Sequence, residues 1–362
     1  MKKILCMCIS VCLCAAMFGS CTENEPDSSV SKAETSSSSQ AAADESSVPE
    51  SESKAESSSA PESKPEESSS STADPGPDDT ADITPAMWTV SDDEGHEITL
   101  LGSMHALTAD DYPLTNEIMD RYNSADILAV ECDIQSEESV QMSFAILKDA
   151  YYNDGTTLKD HISEEGYEAL KKYLDATAYD ISMLEKMKAW AVDSLVEEVG
   201  LQLSGLEADK GIDGYLLTLA HESGKQIYEA ESVEFQMDML LGFSDEIYDF
   251  LFRSLEDYTP QDTADQLTDM HEAWRTGDFE ALDDSEEEEL EDLSDDDLAI
   301  YDEYNKQMLV DRNAGMEECI KELLSEGKNV FFVVGAAHYI GDDGILALLE
   351  KDGYKVERVE YK

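Results

Sequence analysis

Two short segments near opposite ends of the chain close an apolar run in the same way. Leu100-Leu101-Gly102-Ser103-Met104-His105 and Val333-Val334-Gly335-Ala336-Ala337-His338 both read as a strand followed by Gly-x-x-His. A third apolar run, Ile127 to Val130, ends in Glu131. Glycine three residues before each histidine lets the chain turn sharply and leaves room for a group to approach the backbone. Open α/β sheets place their sites at the carboxyl ends of the strands. Two imidazoles and a carboxylate from three such ends can hold a divalent metal with positions left for water. That metal lowers the pKa of bound water toward ~7 and polarises a carbonyl, the chemistry of hydrolysis at neutral pH. The competing reading is that each histidine is a hydrogen-bonded structural residue. The paired signature brings the two readings level.

Other chemistry-bearing residues form weaker patterns. Ser103 beside His105 is no nucleophile elbow, because Gly-x-Ser-x-Gly is absent. His221-Glu222 and His271-Glu272 lack the second histidine of a zinc helix. His96 and His161 stand in polar turns. Arg312, in Asp311-Arg312-Asn313, stands out because arginine is scarce in this chain, and a surface ion pair would equally explain it.

The elements that must position these residues are legible from periodicity. Short apolar runs at Met87–Val90 and Glu97–Leu101 bracket a polar turn, a hairpin signal. Leu114, Ile118 and Tyr122 recur at helical spacing before the Ile127–Val130 run, giving strand, turn with His105, helix, strand with Glu131. Residues 157–199 read as helices, Leu203 to Ala220 as one helix, and Lys225 to Ala230 as a strand. Val233 to Met270 reads as helical, Asp302 to Ser325 as one long helix, and Val330 to Val334 as an all-apolar strand. A helix over Gly344–Lys351 and a strand over Tyr354–Val359 close the chain. The expected architecture is an α/β fold: a central, mostly parallel sheet built from strand–Gly-x-x-His–helix units, flanked by helices, with a largely helical middle segment. Cys132 and Cys319 are expected to be free thiols, buried in the fold.

In order and spacing these motifs resemble the TraB/GumN family, whose metazoan relatives are the Tiki metalloproteases. The resemblance spans about Met87 to Tyr361. It is carried by Leu101-Gly-Ser-Met-His105, Ala125-Asp126 running into Val130-Glu131, Lys188-Ala-Trp190 and Lys210-Gly-Ile-Asp213. It continues through Glu229-Ala-Glu231 with Gln236, Trp274-Arg-Thr-Gly-Asp278, Arg312-Asn313, and Val334-Gly-Ala-Ala-His338 through Gly341 to Gly353-Tyr354. The family often has Thr at the position of Ser103, which keeps a hydroxyl. The resemblance implies an active-site set of His105, Glu131, Arg312 and His338, with Gly102, Gly335 and Glu231 as further motif residues. It implies a hydrolase holding manganese, cobalt or zinc through His105, Glu131 and His338, with Arg312 steadying an oxyanion. The substrate would be a peptide or another small carbonyl compound. The alternative is a non-catalytic lipoprotein that binds a ligand, metal or haem in the same pocket.

Composition bounds where such a domain works. The 362 residues carry 24 basic and 84 acidic side chains, a formal charge of −60. Phosphate binding draws its affinity from Lys and Arg, so nucleic acid is excluded as a partner. Met1-Lys2-Lys3 followed by an apolar run to Phe18 reads as a secretory signal over residues 1–20. Gly19-Ser20-Cys21 resembles a bacterial lipobox, which makes Cys21 the expected lipidated amino terminus, anchored on the outer face of the cell membrane. From Thr22 to Thr80 there are 19 Ser, 15 Asp or Glu and 3 Lys in 59 residues, a composition that cannot bury enough surface to fold. Residues 21–83 are therefore expected to be a disordered tether and 84–362 the α/β domain. Asp283 to Asp297, with 11 acidic residues in 15, reads as a solvated loop or frayed helix.

Overall fold

The computed structural model describes residues 80–278, 290 and 293–361. The signal and almost the whole of the tether lie outside the described residues, as does most of the acidic 283–297 segment.

Six strands form one sheet in the order β4-β3-β5-β2-β1-β6: β1 (Met87–Ser91), β2 (Glu97–Ser103), β3 (Ile127–Val130), β4 (Gln226–Glu229), β5 (Val330–Gly335) and β6 (Lys355–Arg358). The pairs β2–β5, β3–β5 and β3–β4 are parallel, and β1 runs antiparallel to β2 and β6. The mostly parallel sheet is as expected. Every residue of β3 and β5 is buried, consistent with their uninterrupted apolar sequences. In the register of β2 and β5, Gly102 lies opposite Val334 and Ser103 opposite Gly335, so the two Gly-x-x-His turns leave the same edge side by side. A Cβ on Gly102 would come within 3.1 Å of the Ala336 Cβ, which explains the glycine.

Twelve α-helices surround the sheet or build the middle segment: α1 (Asn116–Ser124), α2 (Glu137–Leu147), α3 (Glu164–Leu174), α4 (Ile181–Leu184), α5 (Ala189–Ser204), α6 (Ile212–Ser223), α7 (Val233–Leu241), α8 (Asp245–Ser254), α9 (Pro260–Thr276), α10 (Asp295–Asn305), α11 (Asp311–Ser325) and α12 (Ile345–Lys351), among the described residues. One face of the sheet packs Leu101, Val130 and Val333 against α1, α6 and Trp274 of α9. The other packs Leu100, Ala129 and Phe332 against α11 and α12. The remaining helices close a separate core around Tyr173, Phe250 and Phe252.

Two expected helices differ from those observed. The Leu203–Ala220 helix is broken: α5 stops at Ser204, and α6 starts at Ile212. Gly205, in the left-handed region at φ +79°, stops α5, and at Gly211 a Cβ would stand 2.2 Å from the His105 carbonyl oxygen, so only glycine passes the first histidine turn. The Asp302–Ser325 helix is interrupted by a π-helical turn at Lys306–Val310, immediately before Arg312. The Val233–Met270 span divides into α7, α8 and the start of α9, each opened by a Ser or Thr cap.

The loop carrying His105 is fastened to α9. Trp274 donates its indole N–H to the Gly102 carbonyl (3.0 Å). Asp111 is fully buried; its Oδ2 accepts from Thr108 N–H and Thr108 Oγ1 (2.8 Å each) and lies 2.9 Å from His271 Nε2, while Oδ1 pairs with Arg275. Burial works to raise the Asp111 carboxyl, but His271 and the Thr108 donors outweigh it and bring it down to about 2. A depressed carboxyl stabilises the fold above its unfolded value and loses that contribution as pH falls through the folded one. Asp111→Asn is therefore expected to be less stable than the parent at pH 7. In denaturant titrations the gap should narrow between pH 3.8 and about 2. A gap independent of pH over that range would mean the ion cluster does not hold the loop.

Candidate functional site

The carboxyl ends of β2, β3, β4 and β5 share one edge because these four strands are parallel. Glu131 follows β3 directly, and the apolar strand leaves its carboxylate no water to solvate it. The structure supplies other partners. Glu131 Oε1 accepts the Gly335 N–H at 2.7 Å. Glu131 Oε2 accepts Arg312 Nη2 at 2.6 Å and Gln236 Nε2 at 3.0 Å. Burial alone would raise this carboxyl. The Arg312 guanidinium, aided by the Gly335 amide, holds it well below the usual carboxylate range.

Arg312 belongs to two carboxylates at once. Its Nε donates to Glu231 Oε1 (2.9 Å) and Oε2 (3.2 Å), and Nη2 donates to Glu231 Oε2 at 2.9 Å besides Glu131. Nη1 donates to the Met308 carbonyl at 3.1 Å, inside the π-helical turn. Four of the five guanidinium N–H groups are thus engaged within the protein. Burial would lower the Arg312 pKa, but Glu131 and Glu231 raise it above that of an ordinary arginine. Gln236 joins the two acids by donating also to Glu231 Oε2 (2.9 Å), while its Oε1 accepts from the Cys132 thiol (3.2 Å). Two carboxylates and one guanidinium leave a formal charge of −1 at the centre of the site.

His338 is fully buried. Its Nδ1 lies 2.6 Å from Asn313 Oδ1, and Asn313 Nδ2 donates to the Asp343 carbonyl at 3.0 Å. That second bond fixes which end of the amide meets the ring, so Nδ1 carries the proton and Nε2 the lone pair. Burial, followed by Arg312, pulls the imidazole down to about 3, against the opposing pull of Glu131. His338 is therefore neutral at neutral pH. Its Nε2 has no hydrogen-bond partner and stands 3.7 Å from Glu131 Oε1. Two acceptors face each other there.

His105 Nδ1 lies 2.9 Å from Asp213 Oδ2, and both side chains are nearly buried. Asp213 occupies the first turn of α6, which begins where Gly211 passes the His105 carbonyl. The carboxylate again makes Nδ1 the protonated nitrogen. His105 is close enough to couple electrostatically to both Glu131 and His338.

The structure thus brings Glu131, Glu231, Arg312 and His338 into direct contact or near it, with His105 beside them and Gly335 contributing its amide. Gly102 serves the packing of the two turns. Among the described residues, no group of three or more His, Cys, Asp or Glu side chains is gathered to hold a metal as it stands. His96, His161, His221 and His271 each pair with an aspartate. Among the described residues neither Cys132 nor Cys319 is in a disulfide, as expected; Cys132 is buried and Cys319 only partly so. Cys21 lies outside the described residues.

The sequence profile of the TraB/PrgY/gumN family matches residues 86–358, from the first strand of the sheet to the last. The chain belongs to that family. Among relatives of this TraB-family protein is the uncharacterized protein YbaP of Escherichia coli (strain K12), 30% identical over 146 residues, which are 40% of this chain and 52% of YbaP. The uncharacterized YbaP of Shigella flexneri matches to the same extent. The chain spans about half the length of these curated relatives. No solved structure matches it.

Asp213, Gln236 and Asn313 stand within the sequence motifs, but the sequence assigns none of them a role. Their signal was present only as a polar residue beside each helix start or charged neighbour, and their partners are far away in the chain.

The buried triad makes a stability prediction for this TraB-family protein. Arg312→Met leaves Glu131 and Glu231 facing each other without a cation, and breaking a buried pair typically costs ~3–5 kcal/mol. Arg312→Met/Glu231→Gln should recover part of that loss in urea titrations. Equal losses in the single and double variants would show that Arg312 acts by packing alone.

Proposed function

We propose that this protein is a metal-dependent hydrolase of peptide or other carbonyl substrates. His105, His338 and Glu131 would hold the metal. The observation that carries this reading is the buried, unpartnered His338 Nε2 facing the ionised Glu131 Oε1 at 3.7 Å. Two lone-pair donors at that spacing need a cation between or beside them, and ligands bound at ~2.0–2.2 Å to one ion can have it. The net charge of the Glu131–Arg312–Glu231 group favours the same occupant. Metal-ligating imidazoles usually give their other N–H to a carboxylate or carbonyl, as both imidazoles do here, to Asp213 and Asn313. Manganese, cobalt and zinc all suit such a set.

When bound, the metal would supply a water of lowered pKa and polarise the substrate carbonyl. The residues of the chain have separate tasks. Asp213 and Asn313 fix the tautomer of each imidazole and point its basicity at Nε2. Gln236, Arg312 and the Gly335 amide keep Glu131 ionised, so it acts as a charge and a ligand and would not retain a proton as a general base. Arg312 acts chiefly through the two glutamates, and an oxyanion could use only its remaining Nη1 N–H.

Calorimetric titration of the chelator-treated protein with manganese, cobalt or zinc is expected to show one site, lost in His338→Ala. Asp213→Asn and Asn313→Ala should weaken it roughly 10–100-fold. Cleavage of a peptide library should stop on chelation. Hydrolysis that survives in the His105→Ala/His338→Ala double variant would end this reading.

From the signal-like start and Gly19-Ser20-Cys21 we also propose that the domain lies outside the cell membrane, held by lipid on Cys21. No helix among the described residues is long and apolar enough to cross a membrane. Cys21→Ala is expected to move the protein from the membrane fraction to the medium or to leave an unprocessed precursor. Unchanged fractionation would count against the anchor.

A further inference from the structure

We propose that the substrate of this site is a cationic peptide with apolar residues beside its Lys or Arg, an inference that rests on the hydrolase reading and names its substrate class. The parallel strands β2, β3, β4 and β5 deliver four connecting segments to one edge: residues 104–115, 131–136, 230–232 and 336–344. None of the four contains Lys or Arg. Together with the first turns of α2 and α7 they present exposed acids at Asp110, Glu137, Glu138, Glu234, Asp342 and Asp343.

Four basic side chains of the domain are already engaged by acids. Arg312 is held by Glu131 and Glu231, Lys210 by Glu207 and Asp209, Lys306 by Asp311, and His221 by Asp133. From Thr80 to Lys362 there are 69 acidic and 19 basic side chains, so the wider field has the same sign. Such a field concentrates cations at a cleft and repels anions. The acids alone would be only a solvated surface. His338 belongs to one of these segments, and its fully buried, unpartnered Nε2, facing Glu131 Oε1 at 3.7 Å, points to a group received at this edge.

An apolar component adjoins the acids. Val140 in the first turn of α2 and Phe235 in the first turn of α7 are each nearly half exposed, and Phe144, one turn further along α2, is 59% exposed. Helices α2 and α7 pack against each other, and both start from the site edge: α2 follows Glu131, and α7 carries Gln236. Phe235 is the neighbour of the residue that bridges the two glutamates. Charge complementarity selects the occupant of these apolar positions: a chain segment that carries positive charge as well as apolar side chains.

The test uses the full mature chain and fluorescein-labelled peptides of alternating Lys and Leu or Phe, compared with the same peptides in which Glu replaces Lys. Anisotropy titrations are expected to show at least ~10-fold tighter binding of the Lys peptide, weakening as salt is raised. Asp342→Asn/Asp343→Asn should lower that affinity about threefold or more. Asp93→Asn/Glu94→Gln removes equal charge at the β1–β2 turn, on the opposite edge of the sheet, and should leave it unchanged. Equal affinity for Lys and Glu peptides would overturn the inference, as would equal effects of the two variant pairs, which would reveal bulk attraction instead of a rim. A dimer in sedimentation that excludes the peptide would also overturn it, by assigning the apolar helix turns to a second copy of the chain. Cleavage without charge preference would overturn the substrate class and leave the hydrolase. Charge preference with no cleavage of any peptide would overturn the hydrolase and leave the selectivity.

Discussion

A carboxylate at the end of a strand buried on both faces is the constraint around which this protein is arranged. Glu131 cannot be hydrated where β3 leaves it, and an unpaired charge there would cost several kcal/mol. Arg312 from α11 answers it, but Arg312 is buried too and needs Glu231 as well as the Met308 carbonyl. Gln236 and the Gly335 amide complete the set. Strands β3, β4 and β5 and helices α7 and α11 thus meet at one polar centre, and each must be in place before the others are satisfied.

Two local irregularities serve that centre. The π-helical turn at Lys306–Val310 offers the Met308 carbonyl to Arg312, at the junction where α11 begins. π-Turns recur at functional sites because the extra residue frees a backbone group from the α-helical ladder. The break between α5 and α6 does similar work for His105. Gly211 slides past the His105 backbone, and the restarted helix places Asp213 against the imidazole. On the far side of the loop, Trp274 and the Asp111 cluster tie the first histidine turn to α9. The rigidity of the site is therefore distributed over both faces of the sheet.

In the second histidine turn the fold arranges hydrogen bonds to leave a lone pair uncovered. Asn313 is oriented by the Asp343 carbonyl, His338 is oriented by Asn313, and Nε2 is left facing a carboxylate. Buried polar atoms without partners are uncommon in native proteins, and this one faces an ionised carboxylate. The connecting segments of that edge, acidic and without Lys or Arg, repeat that preference for positive charge on a larger scale.

The sequence by itself determined the sheet, its apolar central strands and the edge at which His105, Glu131 and His338 emerge. Those features follow from periodicity and from glycines at strand ends, which are local signals acting within a few residues. The same locality made residues 203–220 and 302–325 look like unbroken helices, because nothing nearby announces that Gly211 must pass a carbonyl from His105 or that Arg312 must reach a strand. Only the tertiary structure decided that Arg312 serves two glutamates, that Asp213 and Asn313 set the imidazole tautomers, and that Gln236 bridges Glu131 and Glu231. Apart from Gln236 and Glu231, which are five positions apart, these pairings join residues 25 to 181 positions apart. Their physical basis is the cost of burying charge, which is settled by whatever long-range packing brings within hydrogen-bonding distance and which leaves no period in the chain to read.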